Sequence, residues 1–167
     1  MGGAEHQVII RGVQPGDVEA VVEIALAAWE PFFEWLKGRM GQEMFACFCP
    51  DWRAEKERQV RETCAGRDTG IALVAEQGDR IVGFVTYYRN PDAGRGEIGN
   101  NAVHPDRQGH GIGTAMCKEV MRRLREEGIR FVKVCTGGDP FHARARRVYE
   151  KAAFGVSVPG VEFYRAL

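Results

Sequence analysis

A glycine-rich segment about two-thirds along the chain constrains it more than any other feature. The segment runs from Gln108 to Thr114 with the sequence QGHGIGT, between a strand-like and a helix-like stretch. Three alternating glycines remove the side chains that would keep a ligand away from the backbone. Consecutive N–H groups can then converge on an anion, and the positive end of the following helix adds to the attraction. The segment therefore predicts a binding site for a diphosphate group.

Two common diphosphate-binding patterns do not fit this segment. A dinucleotide-binding G-x-G-x-x-G pattern that begins at Gly109 needs a glycine where the chain has Thr114. A P-loop needs Lys followed by Ser or Thr directly after its last glycine, and the segment lacks that sequence. A glycine-rich turn that only lets a helix pack closely against a strand remains the alternative at this point.

Composition excludes several classes of protein. The chain has 167 residues, with 23 Lys and Arg against 23 Asp and Glu, so it lacks the basic excess of a nucleic-acid-binding domain. It contains no apolar run of the about 18 residues that a membrane helix needs. The N-terminus has no secretory-signal pattern, and the five cysteines are odd in number without metal-binding spacing. We therefore expect one cytoplasmic domain over residues 1–167, with no metal, no nucleic acid and no membrane as partners.

The sequence alternates strand-like and helix-like stretches. A short strand at 8–10 leads to a helix capped by Asp17, and Pro31 is predicted to interrupt that helix. Further helices are expected at 52–64, 111–127 and from 137 onward. Further strands are predicted at 71–76, 80–88, 97–103, 129–136 and 161–165. The order β-α-α-β-β-β-α-β-α-β indicates one mixed α/β domain.

Two motifs resemble those of the GNAT superfamily of acyl-CoA-dependent N-acetyltransferases. The phosphate motif of that family, Gln/Arg-x-x-Gly-x-Gly/Ala, is matched by Gln108, Gly111 and Gly113. The family's lead-in Val-His-Pro-Asp stands at 103–106, and its block Ala-Arg-x-x-Tyr-Glu-Lys-x-Gly-Phe is similar to 145–154. Because the two motifs are separated and in the right order, the resemblance is specific over about residues 97–155.

Two positions depart from the family pattern. Ala153 stands where the family often has glycine before phenylalanine, which affects the turn into the last strand. His142 stands where the family frequently has asparagine, at a position that commonly contacts the cofactor or caps the helix.

The resemblance implies the α/β (α+β) class, with a central mixed, mostly antiparallel sheet flanked by helices. It also implies acetyl-CoA as co-substrate and transfer of the acetyl group to a primary amine by direct attack on the thioester. The pantetheine arm is expected to pair with the strand edge at Ala102 and Val103. The residues expected to bind the cofactor are Ala102, Val103, Gln108, Gly109, His110, Gly111, Ile112, Gly113, Thr114, His142 and Tyr149.

Two other functions remain open at this point. The first is a non-catalytic acyl-CoA-binding sensor on the same fold, which could keep the same loop. The second is a dinucleotide oxidoreductase, which binding of NAD in place of coenzyme A would support.

The resemblance assigns Tyr149 as the general acid, because the family places this phenol near the sulfur of coenzyme A. The backbone N–H of Val103 is the expected donor to the thioester oxygen. Glu97 is the first candidate for the general base, since some family members have a basic glutamate eleven residues before the loop glutamine. Alternation along the strand places Glu97 and Val103 on one face. Glu30, Glu34 or a water molecule could serve as the base instead.

An aromatic and acidic stretch at 29–52 is expected to form the acceptor pocket, together with residues 156–164. Its candidate substrate-binding residues are Trp29, Glu30 and Phe33, which suit an amine with an apolar body. The alternative, which fits most of these aromatics, is that they simply pack the helices onto the sheet. The expected partner is a small-molecule amine or a peptide amine, and a homodimer is left open.

Overall fold

A five-stranded sheet forms the centre of the molecule, in the strand order β1-β2-β3-β4-β5. The structure is a computed structural model, and it describes residues 7–166. The strands are β1 (Val8–Gly12), β2 (Ile71–Gln77), β3 (Arg80–Asn90), β4 (Arg95–Val103) and β5 (Phe131–Val134). Neighbouring strands are antiparallel except for β4 and β5, which are parallel. The predicted mixed, mostly antiparallel sheet is therefore confirmed.

Within residues 7–166, five α-helices flank the sheet: α1 (Val18–Met40), α2 (Gln42–Phe48), α3 (Trp52–Cys64), α4 (Ile112–Glu126) and α5 (Ala143–Lys151). Three of them precede β2, where the sequence predicted two. No helix in residues 7–166 is both long and apolar enough to cross a membrane.

The predicted break at Pro31 is wrong, because α1 continues through this residue to Met40. Proline removes one backbone donor from the helix. Aromatic contacts on both sides of Pro31 hold the helix together. Trp29 lies 4.3 Å from the Lys56 amine, and Phe33 stacks on Trp52 with ring centroids 4.2 Å apart. Packing against α3 therefore outweighs the local preference of proline.

The predicted last strand at 161–165 is also wrong. Residues 155–166 form no regular secondary structure, and Val161 and Phe163 are 81% and 92% exposed. Alternating apolar residues form a strand only when a neighbouring strand accepts their hydrogen bonds. In the described chain β5 pairs only with β4, so this stretch has no such neighbour.

Apolar cores lie on both faces of the sheet. The core on one face joins α4 and α5 to the strands, and it includes Ile98, Met116 and Tyr149. The core on the other face joins α1 and α3 to the strands, and it includes Val21, Val60 and Ala102. The helices on the two faces are therefore fixed to one sheet, whose strands set their relative positions.

A β-bulge in β4 reverses the alternation that the sequence predicts. Val85 pairs with Asn101 but Tyr87 pairs with Ile98, so β4 has one residue more than β3 in this interval. As a result, Ile98 faces α4 while Ala102, four residues later, faces α1 and α3. The prediction that Glu97 and Val103 share a face is wrong, since an extra residue lies between them.

Strands β4 and β5 separate after a short parallel contact. β5 pairs with Arg95 to Ile98 of β4, whereas β4 continues to Val103. The last residues of β4 therefore have an unpaired edge on the β5 side.

An ion pair fixes the start of α1 to β1. Arg11 donates to both oxygens of Asp17, at 2.7 and 3.0 Å, and also to Glu76 on β2. The hydrogen bonds from Arg11 lower the pKa of Asp17, and the N–H of Gln14 donates to the same carboxylate. This network sets the direction of the helix that carries Trp29.

Replacement of Asp17 by Asn should lower the free energy of unfolding by about 1–3 kcal/mol, because a charged and largely buried pair is lost. The pKa of Asp17 is lower in the folded state, so its stabilising effect exists above the unfolded value and disappears as pH falls through the folded value. Urea unfolding should therefore show a difference at neutral pH that shrinks below about pH 4. Asp92→Asn, in an exposed turn, is the control. Equal stability of both variants at neutral pH would contradict this account.

Candidate active site

A cleft of about 380 Å³ opens where β4 and β5 separate. Residues from α1 line it on one face of the sheet, and residues from α4 and α5 line it on the other. The cleft therefore passes through the plane of the sheet at the end of β4. Its lining residues are Ala28, Trp29, Phe32, Asn101, Ala102, Val103, Arg107, Gln108, Gly109, Gly111, Ile112, Gly113, Thr114, Phe141, His142, Arg144, Ala145, Arg147, Val148, Tyr149 and Lys151.

The glycine-rich segment forms the N-terminal cap of α4. Gly111 has the left-handed conformation (φ 79°, ψ 0°), which glycine adopts without strain. No side chain of the described residues caps this end of the helix, and its first turn contains no acidic residue. The first N–H groups of an α-helix have no partner within the helix, so here they are available to a ligand in the cleft.

Cationic side chains surround this end of the cleft. Arg107 belongs to the loop, while Arg144, Arg147 and Lys151 line the cleft from α5. No Asp or Glu is among the described residues that line it. Together with the start of α4, these four cations make the cleft suitable for a ligand with several phosphate charges.

The free edge of β4 supplies hydrogen-bonding groups to the cleft. The N–H of His104 donates to Val82 O at 2.9 Å, which makes His104 and Val82 a hydrogen-bonded pair. Antiparallel strands alternate such pairs with non-bonded ones, so Ala102 bonds towards β3 while the peptide groups of Asn101 and Val103 point away from it. The edge groups that an extended ligand could bind therefore belong to Asn101 and Val103, whereas Ala102 lines the cleft with its backbone groups directed towards β3.

Hydrogen bonds of side chains near the end of β4 determine which groups of this edge are available to a ligand. Gln108 donates through Nε2 to Val103 O at 3.0 Å and accepts a hydrogen bond from Arg144. This leaves the N–H of Val103 for a ligand. Asn101 donates to Gly113 O at 3.2 Å, while its buried Oδ1 has no partner in the described chain. A donor on a bound ligand would satisfy this atom.

Tyr149 lines the cleft with a mostly buried side chain. Its ring is 8% exposed and packs edge-on against Phe154, with centroids 5.8 Å apart. Burial raises the pKa of Tyr149 to about 12. Its hydroxyl therefore keeps its proton at neutral pH, as a general acid requires.

His142 is held by a carboxylate at the N-terminus of α5. Its Nδ1 lies 2.5 Å from Oδ2 of Asp139, and its ring meets Phe32 of α1 edge-on at 5.0 Å. Burial alone would raise the pKa of Asp139, but hydrogen bonds from His142 and from backbone N–H groups lower it overall. The pair is therefore a carboxylate and an imidazole in direct contact, and the imidazole lines the cleft.

The α1 side of the cleft is aromatic. Trp29 lines the cleft as predicted, together with Phe32 and Ala28. Glu30 and Phe33 do not: Glu30 pairs with Arg53, and Phe33 stacks on Trp52. Residues 156–164, which were expected to form the opposite wall, do not line the cleft either.

Two other predicted site residues lie outside the cleft lining. Glu97 is half-exposed, and its carboxylate lies 3.5 Å from the amine of Lys133 on β5. His110 is exposed, with Nδ1 3.4 Å from Arg107 O. The other residues expected to bind the cofactor all line one cleft.

A model of the acetyltransferase (GNAT) family matches residues 29–154. The chain belongs to this family. The match includes both motifs, the part of α1 from Trp29 onward, and all later helices and strands, so it confirms the family expected from the sequence.

Curated GNAT relatives of this chain include mycothiol acetyltransferases. That of Saccharomonospora viridis is 33% identical over 162 residues, which cover 92% of this chain and 48% of the relative. That of Beutenbergia cavernae is 35% identical over 100 residues, which cover 59% of this chain and 33% of the relative. The chain thus spans a third to a half of the length of these relatives.

Solved GNAT structures share the fold. A GNAT-family acetyltransferase from Desulfovibrio desulfuricans superimposes with a TM-score of 0.69 at 25% identity, covering 91% of this chain and 87% of that one. The PaiA N-acetyltransferase of Thermoplasma acidophilum, in complex with coenzyme A, also has a TM-score of 0.69, at 18% identity, covering 90% and 91%.

The motifs did not identify several residues of the GNAT cleft. Asn101 was missed as a site residue although it had a usable signal, because alternation along β4 gives it the same orientation as Val103. The cations Arg144, Arg147 and Lys151 had a usable signal, since spacings of three and four place them on one face of a helix.

Replacement of Gly111 by Glu should weaken the binding of coenzyme A by about 100-fold, or about 2.7 kcal/mol. The substitution brings a negative charge to the helix N-terminus and strains a left-handed residue. Isothermal titration with coenzyme A measures the effect.

Gly128→Glu is a matched control for this variant. Gly128 has φ 78°, has open space around it and follows the other end of α4. The Gly128→Glu variant therefore introduces the same backbone strain and the same negative charge at a position outside the cleft. Equal loss of affinity in both variants would contradict the loop assignment.

Proposed function

We propose that this GNAT protein transfers the acetyl group of acetyl-CoA to a primary amine, by direct attack of the amine on the thioester. The observation that carries the proposal is the junction of the unpaired β4 edge with the uncapped start of α4 in one cleft. An extended amide chain that ends in a diphosphate fits such a junction, and acetyl-CoA has that structure.

Each part of acetyl-CoA has a complementary surface in the cleft. The pyrophosphate lies against the N–H groups that follow Gly111, with the cations of α5 near the phosphates. The amides of pantetheine pair with Asn101 and Val103 as an added strand. The thioester then reaches the part of the cleft that contains Tyr149.

The reaction needs no covalent enzyme intermediate. The lone pair of the neutral amine forms a bond to the carbonyl carbon, and the oxygen of the tetrahedral intermediate accepts a hydrogen bond from a backbone N–H of the β4 edge that the pantetheine amides do not use. A base removes one proton from the nitrogen. The carbon–sulfur bond then breaks, and the thiolate takes the hydroxyl proton of Tyr149.

The acceptor class follows from the α1 side of the cleft. Trp29 and Phe32 offer aromatic faces, which suit an amine attached to an apolar body. A small-molecule amine or a peptide amine has this form. The cytoplasm is the compartment that we propose, since none of the five cysteines is paired.

An acceptor screen tests the proposal. The protein is incubated with acetyl-CoA and a panel of small amines and peptide amines, and free coenzyme A and acetylated product are quantified by chromatography. Free coenzyme A could also be measured with a thiol-reactive dye, but the exposed thiols of Cys47 and Cys135 would react with such a dye. Chromatography avoids this background. Equal formation of both products supports acetyl transfer. Saturable binding of acetyl-CoA without either product would make the protein a sensor.

Replacement of Tyr149 by Phe should reduce kcat by about 100-fold and leave the affinity for acetyl-CoA nearly unchanged, because only the proton donor to the leaving thiolate is lost. Since the pKa of Tyr149 is about 12, deprotonation of this group should not lower the wild-type rate at neutral or mildly alkaline pH.

Tyr87→Phe is the matched control. Tyr87 is a buried tyrosine in the same core, and burial raises its pKa as well, but it does not line the cleft. An unchanged rate in Tyr149→Phe, or an equal loss in both variants, would rule out Tyr149 as the acid.

A further inference from the structure

We infer that His142, held in one tautomer by Asp139, is the general base that removes the proton from the attacking amine. This inference rests on the proposed acetyl transfer and supplies the base that it requires. The family resemblance implies for His142 a contact with the cofactor or a cap of the helix.

The hydrogen bonds around Asp139 fix the imidazole. One carboxylate oxygen accepts the N–H groups of Phe141 and His142 at 2.9 and 3.1 Å, and the other lies 2.5 Å from Nδ1 of His142. The side chain of Asp139 is 10% exposed and that of His142 is 25% exposed. The carboxylate thus holds both the backbone and the ring of the histidine.

The loop before α5 is built around this pair. A Cβ atom on Gly137 would collide with Oδ2 of Asp139 and lie 2.6 Å from Nδ1 of His142. Arg146 donates to the carbonyl oxygens of Gly137 and Asp139, at 2.6 and 2.8 Å. The pair therefore packs directly on the loop backbone, and Arg146 fixes that backbone from α5.

Contact with Asp139 decides which nitrogen can act as a base. A carboxylate accepts a hydrogen bond, so Nδ1 carries the proton and Nε2 of the neutral ring keeps its lone pair. Nε2 makes no hydrogen bond to any described residue of the chain. His142 therefore has one basic nitrogen available to a ligand in the cleft that it lines.

His142 is the N-cap residue of α5, and Tyr149 lies on this helix near its C-terminal end. They are seven residues apart, or about two helical turns and roughly 10 Å along the axis. Helical side chains lean towards the N-terminus, so the phenol of Tyr149 is directed back towards His142. A thioester between them would have an acid near its sulfur and a base near the side of the cleft that Phe32 of α1 lines.

The proton balance closes with these two groups. Nε2 takes the proton that the nitrogen loses as the amide forms, and Tyr149 gives a proton to the departing thiolate. The enzyme is left with an imidazolium and a phenolate, and a proton passed from the first to the second through solvent restores both. Amine and acetyl-CoA thus become amide and free coenzyme A.

The charged groups that share the loop, the helix or the cleft with the imidazole include Asp139, Arg107, Arg144, Arg146, Arg147 and Lys151. Asp139 contacts it directly, and Arg146 is bound to loop carbonyls. Arg144 on α5 engages Gln108, and α1 presents the uncharged ring of Phe32. An imidazole accepts a proton only when it is neutral, so kcat/KM should rise with increasing pH.

The main test uses 2-phenylethylamine as the probe acceptor, because it joins a primary amine to an aromatic body. In His142→Gln, kcat should fall by about 100-fold and the rise of kcat/KM with pH should vanish. Titration should show nearly unchanged binding of acetyl-CoA. His104→Gln is the matched control, since His104 lies 3.8 Å from Asp106 but outside the cleft lining, and it should keep the wild-type pH profile.

Asp139 is a positioning residue in this scheme, and Asp139→Asn tests its role. The asparagine oxygen can still accept the backbone N–H groups, while its amide donates to Nδ1 and moves the imidazole proton to Nε2. We expect a loss of kcat on the order of 100-fold with KM for acetyl-CoA nearly unchanged, at an unaltered melting temperature. A wild-type rate in this variant would overturn the tautomer assignment.

The outcomes separate this inference from the proposed function. An active wild type together with His142→Gln that keeps its rate and pH profile overturns the base assignment alone. Loss of acetyl-CoA binding in His142→Gln would also overturn it, in favour of a cofactor contact. A wild type that binds acetyl-CoA but acetylates no amine overturns the proposed function and this inference together.

Discussion

The hydrogen bonds between Asn100 and Thr86 hold the bulge on which the cleft depends. The N–H and Nδ2 of Asn100 donate to the buried hydroxyl of Thr86, at 2.8 and 3.3 Å, where β4 has its extra residue. A Cβ atom on Gly99 would lie 2.7 Å from the same hydroxyl, so the bulge also needs a glycine. Beyond this point β4 no longer pairs with β5, so the edge of β4 at Asn101 and Val103 is open on the β5 side.

The cleft has a cationic region suited to the phosphates of acetyl-CoA and an apolar region suited to the amine acceptor. The start of α4 and the cations of α5 favour phosphate groups, whereas Trp29 and Phe32 of α1 favour an apolar body. Burial keeps Tyr149 protonated between these regions, and Asp139 holds the imidazole of His142 near Phe32. Because these two regions are separate, we propose that the acetyl group passes from acetyl-CoA in the cationic region to an amine in the apolar region.

Local patterns predicted the parts of the molecule that depend on local interactions. The loop at Gly111 was predictable because its conformation and its anion-binding groups come from consecutive residues. Glu97 was misplaced because the bulge is set by Thr86 on another strand. The helix through Pro31 depends on rings of α3, and the pairing of His142 with Asp139 had no motif to reveal it. These features arise from contacts between elements, which periodicity does not encode.

A crystal structure of the protein with acetyl-CoA tests the central claim most directly. The account predicts pyrophosphate oxygens at about 3 Å from the N–H groups that follow Gly111, with pantetheine along Asn101 and Val103. It also predicts the sulfur beside the hydroxyl of Tyr149 and the acetyl carbon on the side of His142. Acetyl-CoA bound outside this cleft, or with its thioester away from both side chains, would contradict the account.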